Sequence, residues 1–420
     1  MEPIRDVRLL FATRAVRLFA YGLLSVVLVL HLAAAGVSEA RIGLLLTLTL
    51  VGDTLISLVL TTRADRAGRR LTLLAGGALM VLAGALLAGA SSFPVLLFAA
   101  TVGVVSPSGN EVGPFLAVEQ AALSQALPDA RRTQAFAWYQ LTGALSTAAG
   151  SLAGGWLASA LQRAGWAPLA SYRAVSAGYG ALGLALLALF ARASPAIEAP
   201  PARRAAPAKR PTFLEHGLGL HRSRAVVLRL SGLFAVDAFA GGFVVQAFVA
   251  WWFHVRFGAD PALLGTIFFV ANALAGLSAL SAAWVARRIG LVATMVFTHL
   301  PSNVLLVLVP LMPSLPLAMA VLFLRFSISQ MDVPTRQSYT MAVVDPDERS
   351  AAAGVTNIAR TVGASLAPLL AGPLYASAAL ASVPFFVAGG LKIAYDLALW
   401  RAFAALPAPE ERAPAAARTP

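Results

Sequence analysis

Apolar stretches of about twenty residues recur from one end of this 420-residue chain to the other, and that recurrence decides its solvent. A run of that length is what an α-helix needs to cross a hydrocarbon core of about 30 Å. Hydrophobic residues make up 59% of the sequence and charged residues 12%, which is more apolar surface than a soluble interior can take up. The bilayer must therefore solvate much of it. Twelve segments can be placed, at 10–35, 42–62, 71–90, 94–127, 133–161, 172–191, 226–255, 261–286, 291–312, 316–344, 351–376 and 383–405. The 34 glycines and 25 prolines agree, because membrane helices tolerate both and small residues let neighbouring helices approach closely. The expected fold class is an all-α membrane protein of twelve transmembrane helices.

Residues 194–224 interrupt the series with Pro195, Pro200, Pro201, Pro207 and Pro211 among Arg203, Arg204, Lys209, Arg210, Arg222 and Arg224. That composition reads as a flexible basic linker. It divides the chain into a six-helix bundle at 1–192, a linker at 193–225, a second bundle at 226–405 and a tail at 406–420 that is expected to be disordered. Basic residues cluster after the second, fourth, sixth and eighth segments: Arg66, Arg69 and Arg70, then Arg131 and Arg132, then the linker, then Arg287 and Arg288. The opposite loops are nearly bare. The positive-inside bias then puts both termini and the linker in the cytoplasm, in a plasma (inner) membrane. Residues 1–35 could also be read as a signal peptide cleaved near Ala33-Ala34-Ala35, but the apolar run is long enough to remain as a first span.

Several function classes fall away. The net charge of +13 raises nucleic acid, yet the basic residues sit in short loops rather than along a stripe interleaved with aromatics. With no cysteine, disulfides and thiolate chemistry are excluded. The five histidines show no paired metal spacing, and no phosphate-cradling glycine loop supports ATP-driven pumping. No nucleophile with a base, and no metal triad, supports an enzyme. The partners expected are membrane lipid, a small-molecule substrate and protons, with no cofactor and a monomeric chain.

The halves resemble each other. Arg17-Leu18-Phe19-Ala20-Tyr21-Gly22 and Asp237-Ala238-Phe239-Ala240-Gly241-Gly242 share Phe-Ala-x-Gly at one offset from a charged residue. Gly43 and Gly265 open the second and eighth segments alike. Glu111-Val112-Gly113-Pro114 runs towards Gln120 and Pro128-Asp129-Ala130-Arg131, as Asp332-Val333-Pro334 runs towards Gln337 and Pro346-Asp347-Glu348-Arg349. Twelve helices in two repeats make a transporter plan.

The turn Asp65-Arg66-Ala67-Gly68-Arg69-Arg70 resembles the G-x-x-x-D-R-x-G-R-R signature of the major facilitator superfamily, and helix count and repeat extend the resemblance over essentially the whole chain. It implies two pseudo-symmetric six-helix bundles working by alternating access. It also implies that Asp65 caps a helix of the other half while Arg66, Gly68, Arg69 and Arg70 help to hold the cytoplasmic side shut. Two departures stand out: the first glycine is Thr61, and the second-half counterpart Ala286-Arg287-Arg288-Ile289-Gly290 lacks the aspartate. The first half should carry the stronger gate. Gly150-Ser151-Leu152-Ala153-Gly154-Gly155 is similar to the G-P-x-x-G-G stretch of the superfamily's drug and proton antiporters, with Ser151 at the proline, and Ala367-Pro368-Leu369-Leu370-Ala371-Gly372 answers it in the other half. Gly150, Gly154, Gly155, Pro368 and Gly372 are expected to pack the interface between halves, with or without export.

Ionisable groups at bilayer depth cost about 2.5 to 3.5 kcal/mol each on insertion scales, so several together imply partners or a wet cavity. The segments carry Arg14, Arg17, Asp53, Glu111, Glu119, Asp237, Arg325, Asp332, Arg336, Arg360, Lys392 and Asp396. Arg17 and Asp237 occupy matching repeat positions with opposite charge and are expected to pair. Glu111 and Asp332 each precede a proline that can bend the helix. Glu119 is either a second proton relay or the partner of a basic loop residue. Lys392 and Asp396, four apart, are expected to neutralise each other. The substrate-binding or proton-coupling set is thus Arg17, Glu111, Glu119, Asp237, Asp332 and Arg336. The expected function is a proton-coupled carrier of a small organic solute, export slightly favoured. An uptake carrier for an anionic or zwitterionic solute, and a non-transporting sensor on a carrier fold, are the alternatives.

Overall fold

The computed structural model describes residues 2–127, 129–198, 220, 222–345 and 348–406; the side chains of 2–4, Asp65, 129–134 and Ser350 lie outside the description. Much of the expected linker, with Arg203, Arg204, Lys209, Arg210, His216 and His221, therefore falls outside the described residues, as does the tail from 407. Those described form helices and short turns. In chain order the helices are α1 (Glu2–Ser25), α2 (Leu28–Ala34), α3 (Glu39–Ala67), α4 (Arg69–Gly89), α5 (Phe93–Val102), α6 (Phe115–Ala126), α7 (Asp129–Arg163) and α8 (Pro168–Ala191). The second half continues with α9 (Arg224–Gly242), α10 (Gln246–Phe257), α11 (Pro261–Ile289), α12 (Leu291–Leu308), α13 (Leu315–Phe326), α14 (Asp332–Ala342), α15 (Arg349–Tyr375) and α16 (Val383–Phe403).

Four of the twelve spans are broken, and they are broken at repeat-equivalent places. α1 and α2 form one span bent by 43°. α9 and α10 are its counterpart, parted at Phe243–Val245. α5 and α6 form the fourth span and α13 and α14 the tenth, so the continuous helices expected at 94–127 and 316–344 are each divided. The reason in the fourth span is local chemistry: residues 103–114 hold three glycines and two prolines, and Gly109 and Gly113 take φ of +70° and +80°. Val104 also takes a positive φ, 55°, which a β-branched side chain adopts only under constraint. Tyr179 of α8 donates its hydroxyl to the Val104 carbonyl at 3.0 Å and holds it there.

The described chain divides into two compact units. One is Met1–Pro207 with Val245–Ala273 and Pro368–Ala381; the other is Ala208–Val244, Leu274–Ala367 and Ser382–Pro420. In the first unit α1 lies against α7 with almost no side chain between them: a Cβ on Gly150 would strike the Phe19 carbonyl, and one on Gly154 the Leu23 carbonyl. Gly150 and Gly154 thus pack inside the first half, a correction to their expected place between halves. Gly155, Gly372 and Pro368 do meet the opposite repeat. A Cβ on Gly155 would lie 2.8 Å from Gly265 Cα of α11, and one on Gly372 2.8 Å from Gly43 Cα of α3, while the Pro368 carbonyl also meets Gly43. The four glycines make two repeat-related crossings, α7 with α11 and α15 with α3. Each is close enough that dispersion and backbone contact replace side-chain packing.

The second unit buries Leu230, Phe234, Val292, Met295, Val296, Tyr339, Tyr395, Leu399 and Phe403 in one cluster. It draws on α9, α12, α14 and α16, and these same helices carry Asp237, His299, Asp332, Arg336, Lys392 and Asp396, most of the unit's buried ionisable side chains.

Candidate functional site

α1 carries Arg14 and Arg17 one turn apart, so both guanidiniums leave the helix on one side. Arg17 is fully buried. Its two terminal nitrogens donate at 2.8 Å to the two oxygens of Glu119 on α6, and its Nε donates to Glu111 Oε1 at 2.9 Å. Arg14 donates Nη1 to Glu111 Oε2 at 2.6 Å, Nε to the Tyr139 carbonyl at 2.6 Å and Nη2 to Gln140 Oε1 at 2.5 Å. Glu119 also accepts from Thr13 Oγ1 at 2.8 Å and from the Tyr139 hydroxyl. Rings of Phe115 and Tyr139 lie 4.6 and 4.2 Å from the two guanidinium carbons. Two cations therefore meet two anions, and every strong donor has a planar oxygen partner.

Glu111 is not helical. It sits in the break between α5 and α6, and its side chain keeps 15% exposure where that of Glu119 keeps none. Two residues on, the Gly113 N–H donates to Asp53 Oδ1 at 2.6 Å, tying the break to the middle of α3. Among the described residues Asp53 otherwise accepts from Ser57 Oγ alone, at 3.4 Å.

The second unit centres on Asp237 of α9. Lys392 Nζ donates to its Oδ1 at 2.5 Å and Arg336 Nη1 to its Oδ2 at 3.1 Å; Arg360 Nη1 and His299 Nε2 stand at 3.8 Å. Arg336 also meets Asp332, one turn back on α14, at 3.3 Å. Asp396 faces His299 Nδ1 at 2.8 Å and accepts from Asn303 Nδ2 at 2.8 Å, both on α12.

Three expectations change. Arg17 and Asp237, read as partners, are each satisfied inside their own unit, because each already has opposite charges on neighbouring helices of its own repeat. Lys392 and Asp396 do not neutralise each other. The lysine stem reaches to α9, while Asp396 is taken by α12. Glu119 meets no basic loop residue and is instead held by Arg17 in the interior.

Around the signature turn, α3 ends at Ala67, and Gly68 takes φ +110° so that α4 can start at once. The amides of Arg69 and Arg70, unpaired as at any helix start, donate to Glu198 at 2.7 and 3.3 Å. Arg69 is buried and donates to Gln125 and to the Ile197 carbonyl, both at 3.1 Å; Arg70 donates to the Phe190 and Ala191 carbonyls at the end of α8. Arg66 is exposed, and the Asp65 side chain lies outside the described residues. Asp6 accepts from Ser194, so residues 192–198 are strapped across the helix ends of the first half. Glu348 performs the same service at the linker's far end, accepting the amides of Arg222 and Ser223 at 2.9 Å before α9.

Sequence reasoning counted Asp53 among the membrane charges but left it out of the site set, and passed over Glu198, His299, Asn303 and the polar set at Ser151. Gln246 Nε2 donates to Ser25 Oγ at 2.8 Å and Ser151 Oγ at 3.3 Å, and Asn272 donates to Gln246 at 3.0 Å. The serine that replaces the antiporter proline thus has a use that proline could not fill. Asp53 was visible as a lone acid in an apolar segment. Glu198 was visible as an acid opening a basic linker.

The Major Facilitator Superfamily signature matches residues 10–368. An uncharacterized membrane protein of Saccharomyces cerevisiae, YJR124C, is 30% identical over 94% of this chain and 93% of its own length. Among solved structures, a bacterial homologue of the human lysosomal transporter Spinster superposes with TM-score 0.70 at 15% identity, covering 96% of each chain. A D-xylose–proton symporter gives 0.72 at 14% identity over 94% of this chain and 97% of its own. The human organic anion transporter MFSD10 gives 0.62 at 19% over 95% and 100%. With twelve helical spans in two six-helix repeats, the chain belongs to the major facilitator superfamily and is a multi-pass secondary transporter, not an enzyme.

Proposed function

We propose that this carrier works by alternating access with protons as its coupling ion, its termini and linker on the cytoplasmic side of a plasma membrane. The observation that carries the proton reading is Asp53. It lies midway along the 26-residue span Glu39–Ala64, and among the described residues no cation pairs with it. An ionised carboxylate at that depth is held by one backbone amide and one long hydroxyl contact, so a proton is its cheapest remedy. The groups in electrostatic reach are Glu111 in the α5–α6 break, Tyr21 of α1 and Tyr179 of α8. A proton on Asp53 loosens its hold on Gly113 and relieves its repulsion with Glu111, two residues away. That message passes to Arg14 and Arg17.

Glu111, Glu119, Asp237 and Asp332 are each met by an arginine or a lysine, which suits them to switching partners as the carrier changes state. The glycine crossings of α7 with α11 and α3 with α15 support a gate that opens by separating backbones without dragging side chains. The antiporter resemblance that favoured export is accounted for by packing at Gly150, Gly154 and Gly155. The test is purified protein in proteoliposomes loaded with pyranine and challenged with organic acids, amino acids and lipophilic amines. Solute-dependent proton movement is expected, and Asp53→Asn should abolish it while leaving solute exchange intact. Solute flux that ignores an imposed pH gradient would refute the coupling.

A further inference from the structure

The network in the second unit has more cations than its acids can serve. Asp237 and Asp332 face Arg336, Lys392 and Arg360, with Arg325 within electrostatic reach of both, while Asp396 is engaged by His299 and Asn303. Arg360 on α15 stands 3.8 Å from Asp237, beyond hydrogen-bond reach, and its Nη1 is buried without an acceptor. Its side chain as a whole is 34% exposed, so the residue is not sealed from its surroundings although Nη1 itself is covered. Arg325 on α13 has a buried Nε with no acceptor, and its charge rests against the Phe326 ring at 4.9 Å. Both lie at membrane depth, where an unmatched guanidinium is costly. The first unit differs: the two arginines of α1 are fully spent on Glu111, Glu119, Gln140 and the Tyr139 carbonyl.

We infer that Arg360, supported by Arg325, binds the oxyanion of an acidic organic solute, a carboxylate or phosphate ester, beside Asp237. This deepens the transport reading and rests on it. The planar fork of a guanidinium matches a carboxylate or phosphate with two parallel hydrogen bonds, and Arg360 has donors to spare for one. Lys392 and Arg336 hold Asp237 and keep it from claiming Arg360. On binding, the solute supplies the missing counter-charge; on release, Asp237 is the nearest acid to take Arg360 back.

The test is thermal unfolding of the purified full chain with benzoate, succinate or glycerol 3-phosphate, each beside benzamide, succinamide or glycerol at matched ionic strength. At least one acid should raise the melting temperature by several degrees while its uncharged counterpart does not. Arg360→Gln should weaken that response about ten- to hundredfold, the loss expected for hydrogen bonds to a charged group, and Arg360→Lys should fall between. If Arg360→Gln fails to fold, Arg325→Gln gives the same comparison. Equal stabilisation by the uncharged partners, no response to any of the three acids, or an unchanged response in the variants would overturn the site. So would stabilisation by dioleoyl phosphatidylglycerol alone, which would make the occupant a lipid. Pyranine-loaded proteoliposomes separate the two readings: acids that bind without moving protons would sink the coupled carrier and leave the site. Proton flux with amines and no acid response would do the reverse.

Discussion

Removing the charge of Glu119 while keeping its shape, as Glu119→Gln, should be among the most damaging single changes in the first unit. The carboxylate is fully buried and accepts from both terminal nitrogens of Arg17, from Thr13 and from Tyr139. In the variant one amide nitrogen confronts a guanidinium donor, and Arg17 and Arg14 are left to share Glu111. Breaking a buried pair from one side costs about 3 to 5 kcal/mol, because the remaining charge stays buried. Glu111→Gln should cost less, about 1 to 2 kcal/mol. There Arg17 keeps Glu119, Arg14 keeps Tyr139 and Gln140, and the partly exposed site admits water. The decisive variant is the double change Arg17→Met with Glu119→Leu. It empties the site of both charges and should recover most of the loss, with a coupling energy of at least about 2 kcal/mol. Reversible unfolding in SDS, followed through the seven tryptophans, measures all four proteins. If Glu119→Gln lies within about 1 kcal/mol of wild type, or the single changes simply add in the double, the buried-pair argument is wrong.

Glu198→Gln removes the carboxylate that receives the first amides of α4 and should cost about 0.5 to 2 kcal/mol while speeding proteolysis next to residue 198; unchanged cleavage would show that the strap is held elsewhere. Asp65→Asn should slow turnover at unchanged expression, read as flux per molecule reconstituted; wild-type flux would remove the signature aspartate from the gate. Gly155→Leu places a side chain where Gly265 Cα now lies and should pry α7 from α11. Ser25→Cys, buried and introduced into a chain with no native cysteine, should then react faster with maleimide, and equal rates in both backgrounds would refute the seam.

The spans were legible because twenty apolar residues in a row admit few other structures, and the repeat was legible because Gly43 and Gly265 kept their places at the close crossings. The breaks at 103–114 and 327–331 were not. A proline such as Pro114 announces a bend, but a membrane span tolerates one, and only the partners of the freed amides show whether the helix continues. Charge pairing was the least legible. Arg17 and Asp237 match in sequence position, yet a buried charge takes whichever opposite charge its own neighbours present, and α6 lies nearer to α1 than any repeat argument can say. The i,i+4 rule placed Lys392 and Asp396 on one face correctly. It failed because a lysine stem is long enough to leave that face when a buried acid waits on another helix.

The two repeats kept their broken helices and diverged in charge, and the divergence has a consequence for energetics. Among the described residues within the spans, the first unit has one acid that no cation meets, Asp53; the second has guanidinium charge beyond what its acids match, at Arg360 and Arg325. A proton suits the first excess and an anion the second. Moving both together in one direction transfers no net charge when the solute carries a single negative charge, so the step escapes the work of about 2.3 kcal/mol per charge per 100 mV that a membrane potential imposes. Flux of such a monoanion into proteoliposomes should therefore follow the pH gradient and stay level when potassium and valinomycin set the potential. A flux that scales with the potential at constant pH would mean that the proton and the anion do not travel as a neutral pair.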